Sequence, residues 1–417
     1  MTDAPGRDCY RRLMTIDVPS VRAQFPALAH GGAFFDGPGG TQVPQSVAEA
    51  VSTTLTGPIS NRGPLTPASR RADEVTMSAR GAMADLTGVP SEAVVFGRSM
   101  TALTYDVART MAKDWGPGDE VVVSRLDHDG NIRPWVDAAR AVGAMVRWAE
   151  FDTDTGELTT SSIEEVLSAR TRLVAFTGAS NLIGTRPDVS AITRVVREAG
   201  ALSYVDGVHL TPHAFVDVAA MGADLYAFSP YKFCGPHLGV LVGRTEVLEE
   251  LRPDKLLPSA NQVPERFELG TLPYELLAGA TAAVDFLAGL AGPWSGQRRK
   301  ALSLSLAALD DAEDTLREQA EDGLAQVEGL RLWGRAAQRT PTLLFTVEGV
   351  ESARIAERLA AEGVYAPAGS FYALEASRAL GLGDSGGVRV GMAPYTSGDE
   401  VARLVDGVRR AVQIERN

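Results

Sequence analysis

Residues 202–243 read LSYVDGVHLTPHAFVDVAAMGADLYAFSPYKFCGPHLGVLVG. Within them Leu202–Asp206, Leu225–Ser229 and Gly239–Val242 are short apolar runs of strand length, and the first two end in polar residues. Runs that are apolar on both alternating faces belong to a mostly parallel sheet covered by helices. The rhythm continues upstream. Strands are expected at Val94–Arg98, Glu120–Ser124, Met145–Phe151 and Arg172–Gly178, with helical spacing over Ala102–Lys113, Arg133–Val142, Ser162–Ala169 and Ile192–Ala199. This is an α/β fold on a mostly parallel seven-stranded sheet.

After Pro273 the pattern turns helical, over Leu276–Ala291 and Arg298–Glu321, and then resumes as a smaller α/β alternation. Thr342–Val347 and Gly387–Gly391 read as its strands, and the turn Thr396–Gly398 precedes a last helix at Asp399–Ile414. Three segments are expected: 1–30, packing with the small domain; 31–275, the large domain; and 276–417, a smaller C-terminal α/β domain.

The composition narrows the function. With 417 residues, 45% hydrophobic and 22% charged, the chain is of ordinary globular type. Forty basic against 53 acidic residues give a net charge of −13, and no basic run is present, which argues against a nucleic-acid partner. No signal-like or membrane-length apolar segment is seen. Two cysteines, Cys9 and Cys234, are too few for a disulfide framework or a cysteine metal site, so a reducing cytoplasm and no metal are expected. Only four lysines occur, Lys113, Lys232, Lys255 and Lys300, so a lysine at a strand end is informative.

Ligands of open α/β sheets bind at the carboxyl ends of the strands. There the chain offers Arg98-Ser99-Met100-Thr101, Asp127-His128-Asp129-Gly130-Asn131, Ser180-Asn181, Asp206-Gly207-Val208-His209 and Ser229-Pro230-Tyr231-Lys232. A carboxylate, an amide, an imidazole, hydroxyls and a single lysine together suggest a pyridoxal phosphate site. Lys232 would form the Schiff base. Asp206 would keep a proton on the pyridine nitrogen, Asn181 would donate to the phenolate oxygen, and His128 would stack on the ring. Thr101, Ser229, Tyr231 and the N–H groups of Met100 and Thr101 at a helix start would take the phosphate. Each residue also has a plainer reading: Asp206 as a helix cap, Asn181 as a turn residue, Tyr372 as core, Arg389 as a surface ion-pair partner.

From Phe35-Asp36-Gly37-Pro38-Gly39-Gly40 to Val388-Arg389-Val390-Gly391 the chain resembles class V, fold-type I pyridoxal phosphate enzymes. That group includes cysteine desulfurases, isopenicillin N epimerase and kynureninase, and the desulfurase-like branch is the nearer. DHDGNIRPW (Asp127–Trp135), SNLIGT (Ser180–Thr185), YVDGVHLTPH (Tyr204–His213) and FSPYKFCGPHLG (Phe228–Gly239) carry the resemblance in the family's order. It implies that Lys232 also shuttles the Cα proton, that Arg389 grips the substrate carboxylate, and that Gly270 and Thr271 reach the phosphate of a neighbouring subunit. A homodimer with shared active sites follows, acting on a small amino acid. Gly39 and Gly40 leave room on the substrate side. Leu251–Glu268 is expected to form an active-site loop.

Three departures stand out. Tyr372, in Pro367-Ala368-Gly369-Ser370-Phe371-Tyr372-Ala373, falls where desulfurases carry their nucleophilic cysteine. His209 stands where they have glutamine near the phenolate oxygen, and Tyr231 where they have histidine beside the phosphate. With that thiol lost and the rest kept, the resemblance points to a C–S lyase acting on an S-substituted cysteine, with Tyr372 or His209 steering the leaving sulfur. Transamination, epimerisation and decarboxylative deamination remain open, as does a catalytically silent sulfur-carrier scaffold.

Overall fold

A computed structural model describes residues 15–416; Cys9 lies outside them. Its strands are β1 (Ala33–Phe34), β2 (Val94–Gly97), β3 (Glu120–Ser124), β4 (Met145–Ala149), β5 (Thr171–Thr177), β6 (Leu202–Asp206), β7 (Leu225–Phe228), β8 (Gly239–Gly243), β9 (Leu330–Trp333), β10 (Thr342–Val347), β11 (Val364–Tyr365), β12 (Ala368–Gly369) and β13 (Gly387–Gly391). The main sheet has seven strands in the order β2-β8-β7-β6-β5-β3-β4, in which β8 alone runs antiparallel to its neighbours.

Alternation along these strands builds two cores, because successive side chains point to opposite faces. Val122, Val174, Phe176, Val205, Tyr226 and Val240 face a core closed by the helices Pro67–Thr87, Val189–Glu198 and Tyr274–Ala288. Val121, Val123, Leu173, Tyr204, Leu225 and Leu241 face the other, closed by Met100–Met111, Arg133–Val142 and Thr245–Glu250. Both faces of the inner strands are buried, which is why those strands carry few polar residues before their carboxyl ends.

The smaller sheet, β12-β13-β10-β9, is antiparallel throughout and packs with the helices Ser352–Ala361 and Gly398–Arg416 around a third core. β1 pairs in parallel with β11, so Ala33 and Phe35 join that third core although they precede the large sheet in sequence. Nearer the N-terminus, Val21, Phe25 and Leu28 join the large core while Arg22 reaches Glu400 at 2.6 Å.

Several elements differ from expectation. The helices Gln45–Thr56 and Pro67–Thr87 carry no clear apolar stripe and were not anticipated. The helix expected at Ser162–Ala169 is a single turn, Thr160–Glu164, capped by the Thr159 hydroxyl. The helix expected to open the small domain, Tyr274–Ala288, is embedded in the large core. The next helix, Arg298–Leu324, spans two cores: Leu302, Leu306 and Leu309 belong to the large one, Ala320 and Leu324 to the small. We propose that the domain division falls inside this helix.

Candidate active site

The carboxyl ends of β2, β3, β5, β6 and β7 face β13 of the small sheet across a cavity of about 560 Å³. Close backbone approaches shape it. At Gly239 an added Cβ would lie 2.3 Å from the Ser99 carbonyl carbon, so β8 runs directly beneath the start of the helix Met100–Met111. At Gly207 a Cβ would lie 1.9 Å from the Tyr226 ring, so only glycine lets the chain turn there after Asp206.

Lys232 sits in the short turn Pro230–Lys232 between β7 and β8. Its ammonium donates to the carbonyls of Pro38 (2.5 Å) and Gly39 (3.1 Å) and lies 4.6 Å above the Tyr231 ring. Burial, with Arg389 nearby, pulls its pKa down to about 8. Asp206, at the end of β6, is buried, and its carboxylate accepts one backbone N–H, from Val208 at 2.9 Å. Burial pushes its pKa up to about 6 against the opposing effects of that N–H and of Lys232. A carboxylate so poorly provided for is a site for a cationic N–H.

His128 follows β3. Its Nδ1 accepts from the Gly130 N–H at 2.9 Å, which leaves the proton of the neutral ring on Nε2. Burial and the two cations hold its pKa near 4. Beneath it, the buried Asp127 accepts from Asn131 Nδ2 (2.6 Å) and from the Thr177 N–H (3.0 Å), and Asn131 in turn accepts from the Trp135 indole (3.1 Å). These groups hold the loop, and of them Thr177 alone lines the cavity.

Ser99 caps the helix Met100–Met111 by accepting from the Ala102 N–H at 3.1 Å, and Met100 N donates weakly to Ser229 Oγ at 3.4 Å. Thr101 and Tyr231 complete this end, with Tyr231 stacked on His237 at 4.6 Å. At the other end Asn181 Nδ2 donates to the Phe371 carbonyl (2.9 Å), while its Oδ1 is buried without a hydrogen-bond partner among the described residues. His209 turns its Nε2 to the hydroxyls of Thr340 (3.0 Å) and Thr342 (2.9 Å), and burial drives its pKa well down. Its neutral ring leans on His213, which bonds Glu313 at 2.7 Å.

Arg389, on β13, is 3% exposed at its side chain. Nη2 meets Asp36 Oδ1 at 2.6 Å, Nη1 meets the Asn181 carbonyl at 3.0 Å, and the Phe371 ring lies 3.7 Å from the guanidinium carbon. Phe371 and Tyr372 both adopt left-handed backbone, with φ of 54° and 58°. Tyr372 is 77% exposed at the rim, its ring 5.5 Å from that of His128.

Residues 33–404 match the aminotransferase class-V family. This chain belongs to the class-V aminotransferases. Over 94% of its length the class-V chain is 35% identical to an uncharacterized protein of Mycobacterium tuberculosis, covering 98% of that protein. It is 30% identical to a probable cysteine desulfurase of Vibrio cholerae, covering 96% of this chain and all of the relative. The cysteine desulfurase CsdA of Escherichia coli superposes with a TM-score of 0.85 at 28% identity, over 96% of this chain and 99% of the other. Pyridoxal phosphate is the cofactor of this family and of this chain, and the residues fit it: a buried carboxylate that accepts a single backbone N–H and a lysine with a lowered pKa share one cavity.

Of the residues singled out from sequence, Gly39, Met100, Thr101, His128, Asn181, Asp206, His209, Ser229, Tyr231, Lys232, Tyr372 and Arg389 line this cavity. Gly270 and Thr271 are exposed and do not line it. The stretch 251–268 does not line its own chain's cavity either: its end is held elsewhere by the buried pair Glu268–Arg80 at 2.8 Å. The room expected at Gly39 is filled by the Asp36 carboxylate, 2.2 Å from where a Cβ would stand. Sequence reading missed Asp36 as the partner of Arg389, and it missed Phe371 and Arg133 as part of the lining. The signal for Asp36 was a lone carboxylate opening a glycine-rich turn. Cys234 is buried with φ of 69°, and burial pushes its thiol up to about 12.

Proposed function

We propose that this class-V enzyme is a β-eliminating C–S lyase that converts an S-substituted cysteine and water to a thiol, pyruvate and ammonia. The observation that carries the reading is the state of the two sulfur-relevant positions. A tyrosine, not a thiol, stands at the exposed rim at 372, and the thiol at 234 is buried and held protonated. A substrate whose sulfur departs as its own thiolate needs no protein sulfur nucleophile.

In this reading pyridoxal phosphate, when bound, supplies the electron sink for the pair left at Cα. Lys232 holds the cofactor and then takes the Cα proton, a task that suits an amine with a pKa near 8. Asp206 keeps the pyridine nitrogen protonated, and Asn181 and His209 flank the phenolate side. Met100, Thr101, Ser229 and Tyr231 would take the phosphate, and the neutral His128 would lie against the ring. Arg389 binds the α-carboxylate with the planar fork suited to it. We assign the steering of the leaving sulfur to Tyr372, exposed at the rim, because the His209 Nε2 is committed to Thr340 and Thr342.

We further propose a cytoplasmic homodimer in which Gly270 and Thr271 complete the partner's phosphate site. Their exposure outside the cavity of their own chain supports this. The test of the reaction is a product assay on purified protein with an S-alkyl cysteine. Thiol and pyruvate in equal amounts, absent in Lys232→Ala, are expected; a keto acid without thiol would move the assignment to transamination. A colourless protein inert to borohydride would support the silent scaffold instead.

A further inference from the structure

The guanidinium of Arg389 already carries a carboxylate, and it is the protein's own. Asp36 Oδ1 meets Nη2 at 2.6 Å inside the cavity, and the two side chains differ sharply in exposure, 3% for Arg389 against 44% for Asp36. Arg389 is fixed from three sides. Its Nη1 is held by the Asn181 carbonyl, its flat face is covered by Phe371, and its strand is paired on both edges. Among the described residues the Asp36 side chain is held by Arg389 alone, while its backbone carbonyl accepts from the N–H groups of Gly39 (2.9 Å) and Gly40 (3.0 Å). Its side chain can therefore leave Arg389 without undoing the turn. The Arg389 Nε, buried and without a partner among the described residues, marks donor capacity that Asp36 does not use.

We propose that Asp36 is a resident competitor for the substrate's α-carboxylate. It occupies Arg389 until a carboxylate with a second point of attachment displaces it. The inference rests on the reading that Arg389 grips the substrate. Two carboxylates on one guanidinium repel each other, so an incoming anion must either expel Asp36 or bind against its charge. A simple carboxylic acid has nothing else to offset that cost. An α-amino acid has its amine, engaged on the Lys232 side of the same cavity, and the two attachments act together. Asp36 is thus a specificity-determining residue that disfavours plain carboxylates, including a keto-acid product, relative to amino acids. Gly39 belongs to the same device, because any side chain there would collide with the Asp36 carboxylate.

The experiment is calorimetric titration of the cofactor-loaded protein with propionate, which has the carboxylate and no amine. Asp36→Asn, nearly isosteric, is expected to bind propionate at least about tenfold more tightly than the parent. Arg389→Gln should abolish that binding in either background. Unchanged or weaker binding in Asp36→Asn, with Arg389→Gln still abolishing it, would show that Asp36 braces the arginine and would overturn the proposal alone. Propionate binding that survives Arg389→Gln would overturn the carboxylate reading of Arg389 as well. Should Asp36→Asn give no folded protein, Asp36→Ser, judged by the same titration, decides between the same outcomes.

Discussion

Two titratable residues in the cavity work against the stability of the free protein, each in a different pH window. Asp206 has its pKa raised by burial to about 6, so the folded chain binds more protons than the unfolded chain between about pH 4 and pH 6. Stability from this group therefore falls as pH rises through that interval, by on the order of 2 to 3 kcal/mol in total. Asp206→Asn keeps an acceptor for the Val208 N–H and removes the buried charge. Cofactor-free Asp206→Asn should melt above the parent at pH 7, the gap closing as pH falls below about 5, while its hold on the cofactor weakens. Melting curves of the stripped protein across pH check the first part, and equilibrium dialysis the second. Lys232 behaves in the opposite sense. Its pKa of about 8 lies below that of a free lysine, so its neutral form, the form that attacks a carbonyl, is a minority at pH 7 and the majority by about pH 9. Cofactor recapture by stripped protein should quicken severalfold over that span and then level off, as stopped-flow absorbance would show; a flat profile would mean that proton loss from Lys232 does not limit capture.

At the scale of elements, the turn at Phe371-Tyr372 joins the two halves of the site. Phe371 covers Arg389 and accepts from Asn181, while the Tyr372 carbonyl accepts from the Asp129 N–H at 2.7 Å. Two successive non-glycine residues in left-handed backbone cost about 1–2 kcal/mol each. Tyr372 is mostly exposed, so Tyr372→Gly forfeits little packing, and after glycine's own entropic cost a net gain of up to about 1 kcal/mol is expected. Urea unfolding measures it, and a loss of stability would show that the ring contributes more than its exposure implies. The elements legible in sequence were those with dense local periodicity: β3, β6 and β10 stand where their apolar runs placed them, and Lys232, Asp206 and His128 follow because each ends or succeeds such a run. The helix Pro67–Thr87 was illegible because its buried face mixes Ala72, Ala79 and Ala82 with Thr76 and Arg80. The Asp36–Arg389 contact was illegible for another reason. It joins residues 353 apart through the small sheet, and no local pattern records such a pairing.

At the scale of the whole molecule, exposed leucines stand in the stretch of chain that leads to Gly270 and Thr271. Leu256, Leu257 and Leu269 flank the segment that ends at Gly270 and Thr271, and the ion pair Arg62–Glu265 at 3.2 Å brings the chain near Leu65 beside it. Exposed apolar side chains of this size suit the interface of the proposed dimer. Leu257 is 96% exposed, so Leu257→Glu should leave the fold of one chain intact while splitting the proposed dimer and lowering activity at least tenfold. Sedimentation velocity and circular dichroism separate the two effects, and a variant that stays dimeric would place the interface elsewhere.

The pairing of β1 with β11 carries a consequence for synthesis. Ala33 finds its partner in Val364, so β1 waits while some 330 further residues are made. Over that wait the main sheet, with Asp206 and Lys232 at its strand ends, is already complete in sequence, whereas Arg389 is still to come. The residues proposed to hold the cofactor are thus in the growing chain before the arginine proposed to select the substrate is made.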